Sequence, residues 1–222
     1  PGMTRMIADY THSFFQKPLP GIPTLYSCRK FFGVADGSYV SASGCDALAA
    51  GRYQNLPVDV SYDRMHFLLG RFEAPASEFY QEYAENNEIF TTEPVKQMSK
   101  LTHNLLRGID YEFVKEQRSA NFAFLHRHLK KWNRLDLPDI TGAYAYPFWP
   151  KEGLPEGHLL RRPLISQKIY VPTLWPEVLS LCTEDSPECP MAADILPLPV
   201  DQRYGEPDMM EILKILESLL PG

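Results

Sequence analysis

Residues 26–37 of the chain, YSCRKFFGVADG, contain the lysine on which the interpretation of the whole sequence depends. An apolar, turn-bounded stretch precedes Ser27, and two phenylalanines and a glycine-bearing loop follow Lys30. A lysine becomes a nucleophile when part of its population is neutral, and partial burial or a nearby cation such as Arg29 lowers the pKa of an amine. Lys30 is therefore a candidate reactive lysine, and the alternative is an ordinary solvated lysine.

Three further polar residues form an ordered set with Lys30. Asp9 ends a predicted buried strand, His12 follows three residues later, and Ser27 lies three residues before the lysine. A lysine that binds an aldehyde cofactor works together with a carboxylate that keeps the pyridine nitrogen protonated. His12 is the candidate group for the ring and Ser27 for the phosphate. The set predicts a pyridoxal 5'-phosphate site with Lys30 as the catalytic residue.

Composition excludes several classes of protein. The 222 residues are 44% hydrophobic, which is enough for a substantial core in one large domain or two smaller units. The net charge is −6 without a run of Lys or Arg, which argues against a nucleic-acid partner. The absence of a long uncharged apolar stretch predicts that no segment spans a membrane.

The cysteine pattern predicts thiols rather than a metal site. No C-x-x-C pair is present, and His126 and His128 are two positions apart on a predicted helix, so they point to different sides. We predict four free thiols in a reducing, cytoplasmic environment. Pairing of Cys182 with Cys189 across an acidic loop is the alternative.

Hydrophobic periodicity predicts a mixed α/β chain with a boundary near residues 60–90. The first domain covers residues 1–90, and the second, residues 91–222, contains long helices and a small α+β unit. A helix start is predicted at Thr91 and Thr92, before Glu93 and Pro94. Predicted strands cover residues 5–9, 22–28, 38–43, 144–149, 165–171 and 195–200. Predicted helices cover residues 61–88, 95–107, 110–135 and 207–220.

Segments along most of the chain resemble a known family. ADYTHSFF followed by YSCRKFFGVADG is similar to the cofactor domain of fold-type I pyridoxal-phosphate enzymes, including their S-x-[basic]-K-x-x-G segment. The segment at 96–129 resembles the long-helix region of DegT-like sugar aminotransferases, with Arg118 and Asn121 at the positions of an Arg-x-x-Asn signature. The endings IYVPTLWPEV and ILPLPVDQRYGEPDMMEILKIL are also similar. His12 stands where glutamine is common in the family, which bears on the substrate class.

The resemblance implies a fold and an activity. The fold would be part of a fold-type I large domain followed by an α+β small domain. The activity would be transfer of an amino group from an amino donor to a keto or keto-sugar acceptor, with Lys30 holding the cofactor as a Schiff base in a homodimer. The alternatives are a related lyase and a truncated or non-catalytic binding protein of the same fold.

Two further expectations concern the substrate and the N-terminus. Arg162, just before the predicted strand at 165–171, is a candidate for binding a substrate carboxylate. Arg161 and Arg203 are the other options. Eight residues precede Asp9, so the expectation is that the N-terminal part of the cofactor domain is missing. Self-association or another chain would then cover the exposed sheet edge.

Overall fold

A computed structural model of the chain describes residues 6–41, 51–183 and 186–221. The chain separates into two compact units, Pro1–Asp110 and Tyr111–Gly222. The division falls after residue 110 rather than near residue 90, because the helix at residues 100–107 is hydrogen-bonded to Asp36 of the first unit. Both units combine strands and helices, as the sequence predicts.

The first unit contains a three-stranded sheet in the order β1–β2–β3. The strands are β1 (Ala8–Asp9), β2 (Thr24–Ser27) and β3 (Ser38–Ser41). β1 runs parallel to β2, and β2 pairs antiparallel with β3. Within the described residues β1 has β2 as its only neighbour, and Met6 and Ile7 before it are exposed. The prediction of a buried strand at 5–9 is therefore wrong, because this strand lies at a sheet edge.

Short helices follow the sheet. Those in the described part of the first unit are α1 (Gly51–Gln54), α2 (His66–Gly70), α3 (Tyr80–Thr92) and α4 (Lys100–Arg107). The single helix predicted at 61–88 is interrupted between α2 and α3, where Pro75 precedes a 3-10 turn, Ala76–Phe79. Proline lacks the N–H group that a continuous helix needs. Leu69 and Phe72, two of the apolar residues in the range of the predicted helix, are exposed.

The start of α4 is set by a serine. Ser99 is the N-cap residue, and its Oγ accepts a hydrogen bond from the backbone N–H of Thr102 at 3.0 Å. This bond satisfies one of the N–H groups that have no partner within the first turn of a helix. Thr91 and Thr92, predicted as a helix start, are instead the last two residues of α3.

The second unit is built around a two-stranded sheet. Its elements are α5 (Tyr111–Leu129), β4 (Ala145–Phe148), α6 (Gly157–Ser166), α7 (Val178–Leu181), α8 (Glu188–Asp194), β5 (Leu196–Pro199) and α9 (Glu206–Leu219). β4 and β5 pair antiparallel, with Tyr146 opposite Leu198 and Phe148 opposite Leu196. These four buried side chains pack against the apolar faces of α5, α6 and α9. Burying a side chain of this size stabilises a fold by about 1.5–3 kcal/mol, so this cluster is the main core of the unit.

Arg118 and Asn121 are buried polar residues that attach α5 to the rest of this unit. Arg118 donates from Nε to Gln202 Oε1 at 2.8 Å and from Nη1 to the carbonyl oxygen of Ala143 at 3.0 Å. Asn121 Nδ2 donates to three carbonyl oxygens of residues 200–204. Burial lowers the pKa of Arg118 to about 10, so the guanidinium stays charged at neutral pH. The Arg-x-x-Asn pair thus has a structural role here.

Two element predictions in this unit are wrong and three are confirmed. No strand covers 165–171, because α6 continues to Ser166 and ends where Lys168 adopts a left-handed conformation, with φ of 64°. α5 ends at Leu129 rather than at residue 135. The strands predicted at 144–149 and 195–200 and the final helix are present as β4, β5 and α9. No helix within the described ranges has both the length and the hydrophobicity that a bilayer crossing requires.

Two of the four predicted free thiols form a disulfide instead. α7 and α8 pack together and bring the Cα atoms of Cys182 and Cys189 to 5.8 Å, within the range that a disulfide spans. Cys28 is a free, buried thiol, and burial followed by the charge of Asp36 raises its pKa to about 12. Cys45 lies outside the described residues.

Candidate functional site

Asp9, His12 and Lys30 come together in the first unit. Asp9 is the last residue of β1, His12 lies in the loop that follows, and Lys30 lies three residues after β2. Because β1 and β2 are parallel, their carboxyl ends meet at the same edge of the sheet. Burial and then the charge of Lys30 lower the pKa of His12, while Asp9 opposes this effect. The imidazole therefore lies within electrostatic range of both other groups.

An aromatic cluster holds the two loops of this site together. Phe14 packs on Phe32 and Phe31, with ring centroids 4.8 Å and 5.6 Å away. Tyr10 meets Tyr26 edge-on at 5.7 Å. Each such pair contributes about 0.5–1.5 kcal/mol beyond its burial. The loop that carries His12 is thereby packed against the turn that carries Lys30.

Asp9 presents an ionised carboxylate to solvent. Its Oδ1 accepts a hydrogen bond from the backbone N–H of Thr11 at 2.8 Å, and the side chain is exposed. Hydrogen bonds from the hydroxyl and then the N–H of Thr11 lower the pKa of the Asp9 carboxyl. Asp9 is therefore charged at neutral pH and accessible to a positively charged ring nitrogen.

Lys30 is half-buried, and its Nζ makes no hydrogen bond or ion pair with any of the described residues. The neighbouring Arg29 is directed toward α3. Its Nη1 donates to Asn87 Oδ1 at 2.6 Å, and its guanidinium lies 4.0 Å from the centroid of the Phe90 ring. Within the described residues, the Lys30 amine is therefore not held by a carboxylate, and it stays the candidate group for a carbonyl carbon.

Ser27 is the remaining cofactor residue predicted in the first unit. It ends β2 opposite Ser38 and is half-buried. Its hydroxyl makes no hydrogen bond within the described ranges, so it remains a candidate donor to a phosphate oxygen.

The arginine candidates all belong to the second unit. Arg162 is exposed on α6, in a helix and not before a strand as predicted, and it remains a candidate for a substrate carboxylate. Arg161 Nη2 instead donates to the carbonyl oxygen of Ile195 at 3.1 Å. Arg203 forms two hydrogen bonds with the carboxylate of Asp201, at 2.8 and 2.9 Å, so its guanidinium is already engaged.

Asp36, in the turn after Lys30, is bonded to α4 through Ser99 and Thr102, a contact that the sequence did not predict. The available signal was Ser99, a good N-cap residue three positions before Thr102. The sequence predicts that this helix begins at residue 95, which places Ser99 inside the helix and not at its N-cap position.

Comparison with solved structures shows a similar fold. The chain is similar to the crystal structure of the sugar aminotransferase CalS13 from Micromonospora echinospora, with a TM-score of 0.55 and 15% sequence identity. The match covers 96% of this chain and 58% of that chain. No protein-family model matches the sequence, and a search of curated proteins found no match. The likeness therefore concerns the fold alone, which is a mixed α/β fold.

The residues in the first unit fit pyridoxal phosphate in part. The accessible Asp9 carboxylate suits a protonated pyridine nitrogen, and the uncommitted Lys30 amine suits an aldehyde carbon. His12, whose pKa both groups influence, has a planar ring that suits contact with the pyridine. Ser27 is the candidate donor to the phosphate, while Arg29 is bound to α3.

Proposed function

We propose that the protein is a pyridoxal-phosphate-dependent aminotransferase that moves an amino group from an amino acid to a keto or keto-sugar acceptor. The observation that carries the proposal is the position of Lys30. This half-buried amine has no ion-pair partner in the described structure, and its charge lowers the pKa of His12, which lies in the loop after Asp9 at the end of β1. The aminotransferase-like fold supports the same assignment.

Each side chain has a role that follows from its surroundings. Asp9, charged and accessible, would hold the proton on the pyridine nitrogen. Lys30 Nζ would bind the aldehyde carbon and serve as the base that takes the proton from the α-carbon of the substrate. His12 has a lowered pKa and is neutral at physiological pH, so it adds no positive charge beside the lysine. The chemistry that pyridoxal phosphate supplies when bound is an electron sink for the α-carbon.

The remaining assignments complete the proposal. The partners are a small-molecule amino donor and a keto acceptor, and Arg162 is the candidate for the substrate carboxylate. A homodimer and a cytoplasmic location stay predictions. A related lyase would use the same three residues, and analysis of the products formed from candidate amino acids separates it from a transferase.

A non-catalytic binding protein with this fold is the second candidate. It is favoured by the phosphate end of the site, where Ser27 is the candidate donor and the neighbouring Arg29 is bound to α3. This candidate predicts that pyridoxal phosphate changes neither the absorbance nor the thermal stability of the protein.

Absorbance spectroscopy tests the proposal directly. Pyridoxal phosphate is added to the purified protein, the Schiff base is reduced with borohydride, and the modified lysine is located by mass spectrometry. We expect an absorption band near the visible edge and modification at Lys30. Lys30→Ala should abolish the band, because it removes the only group of the site that can bind the aldehyde covalently.

Lys151→Ala is the matched control. Lys151 is an exposed lysine of the second unit, so its loss should leave the band unchanged. A band that persists in Lys30→Ala, or the lack of any band at saturating cofactor, would refute the assignment. Conversion of an amino donor to its keto acid, with amination of an added keto acceptor, then identifies the reaction as transamination.

A further inference from the structure

The turn that carries Lys30 belongs to a closed loop, residues 28–37. The loop is closed at its ends, where the backbone N–H of Cys28 donates to the carbonyl oxygen of Gly37 at 3.1 Å. The carbonyl oxygen of Cys28 accepts hydrogen bonds from the N–H groups of Phe31 and Phe32, which forms a tight turn around Lys30. The position of the lysine is therefore determined by how the whole loop is held.

The closing end of this loop is bound to α4 through a buried carboxyl group. Asp36 is 2% exposed and accepts hydrogen bonds from the backbone N–H of Ser99 at 2.6 Å, from the Ser99 hydroxyl at 2.9 Å and from the Thr102 hydroxyl. Ser99 Oγ in turn accepts from the N–H of Thr102 and lies 2.7 Å from Ser61 Oγ. Asp36 acts only as an acceptor in this network, so all its bonds depend on carboxylate oxygens.

A second attachment joins the loop to α3. Asn86 is buried, and its Nδ2 donates to the carbonyl oxygen of Ala35 at 2.9 Å. The adjacent Gly37 has a φ of 102°, and a Cβ there would lie 2.9 Å from Thr102 Cγ2, so α4 approaches the loop closely. Asp36 is thus the carboxyl group in a contact that fixes the end of the same loop that carries Lys30.

We propose that Asp36 is a positioning residue that holds the Lys30 turn in the geometry needed for reaction with an aldehyde. The role of Lys30 as the reacting amine rests on the proposed function above. The role of Asp36 in holding the turn rests on the hydrogen bonds to α4. Asparagine at this position keeps one acceptor oxygen in place of two, so Asp36→Asn should loosen the loop from α4.

Two rates measured at Lys30 should change in opposite directions in Asp36→Asn. Labelling by a small amine-reactive reagent without cofactor, followed by mass spectrometry, should become faster because the half-buried amine gains exposure. Formation of the Schiff base with pyridoxal phosphate should become slower, by about tenfold or more, because that reaction requires a fixed amine position. General destabilisation would instead accelerate labelling at buried positions throughout the unit.

Asp59→Asn is the matched control for the chemical change. Asp59 is a carboxylate of the same unit, but it pairs with Arg64 and Lys96. Its replacement should leave both Lys30 rates unchanged. Thr102→Val, which removes one donor and keeps the branched shape, should shift both rates in the same directions as Asp36→Asn, and Thr102→Ser should restore them. The Thr102 pair provides the test if Asp36→Asn does not fold.

The outcomes separate this proposal from the proposed function. Unchanged labelling of Lys30 in folded Asp36→Asn, or in Thr102→Val, overturns the positioning role whatever the cofactor does. Faster labelling that Thr102→Ser reverses, in a protein that forms no Schiff base at all, supports the positioning of the lysine by Asp36 and contradicts the proposed chemistry. An equal change at Lys30 and at Lys96, the other half-buried lysine of the unit, identifies loss of structure and overturns the proposal.

Discussion

Replacement of Asn121 by alanine should destabilise the second unit strongly. Its Nδ2 donates to the carbonyl oxygens of Val200 at 3.3 Å, Asp201 at 3.2 Å and Tyr204 at 3.0 Å, and its Oδ1 accepts from Gln117 Nε2 at 3.0 Å. Two amide protons and one acceptor are lost, each worth about 1 kcal/mol. The side chain is 2% exposed, so water does not readily replace these bonds. We expect a loss of about 3 kcal/mol in the free energy of unfolding.

Asn121→Asp is the sharper variant. Aspartate has nearly the same shape as asparagine, but a carboxylate oxygen replaces the NH2 group that faces three carbonyl oxygens. Asn121→Asp should therefore lower the free energy of unfolding more than Asn121→Ala does. Burial of a charge without a donor is among the most destabilising changes known. If Asn121→Ala proved less stable than Asn121→Asp, the shape of the side chain, and not its hydrogen bonding, would determine the role of Asn121.

Urea unfolding followed by far-ultraviolet circular dichroism measures these changes, and thermal unfolding provides a second estimate. A loss of about 3 kcal/mol corresponds to a fall in Tm of about 6–12 °C for a chain of this length. Asn104→Ala, at an exposed position on α4, is the control and should change stability by less than about 0.5 kcal/mol. A cost below about 1 kcal/mol for Asn121→Ala would refute the assignment of an anchoring role.

Three further predictions follow from local geometry. Gly157→Ala should lower the free energy of unfolding by more than about 3 kcal/mol, because an added Cβ would lie 1.7 Å from a backbone oxygen of α8. Gly33→Ala is the control, because a Cβ there meets nothing within 4 Å. Urea unfolding compares the two variants. Cys28 has a pKa of about 12 and should resist a thiol reagent at pH 8 until urea unfolds the protein; prompt labelling of the native protein would contradict this. Lys30→Ala should raise the pKa of His12 in an NMR titration, because it removes a positive charge that lowers that pKa. The pKa of His12 is lower in the folded protein than in the unfolded chain, where it is about 6.5. The contribution of His12 to the free energy of unfolding is therefore complete above about pH 6.5 and is lost as the pH falls through the folded-state pKa.

Much of the candidate site could be predicted from the sequence because its residues lie close together along the chain. Asp9, His12 and Lys30 fall within one strand–loop–strand segment, and the parallel pairing of β1 with β2 places both strand ends at one edge. Local patterns also predicted β4, β5 and α9, whose apolar spacing matches their buried faces. The prediction of one helix at 61–88 is wrong because the apolar spacing continues across Pro75, whereas the helical backbone is interrupted there.

The amino-acid sequence by itself determined the order of the candidate site residues, the mixed α/β character and the closing helix, because these depend on residues that are near one another in the chain. The tertiary structure decided what each polar residue contacts. It directs Arg29 to α3, places Asp36 against α4, joins Cys182 to Cys189 and turns Arg118 and Asn121 inward. Most of these contacts join residues far apart in sequence, and a buried polar group must find its partner wherever the fold brings one within hydrogen-bonding distance.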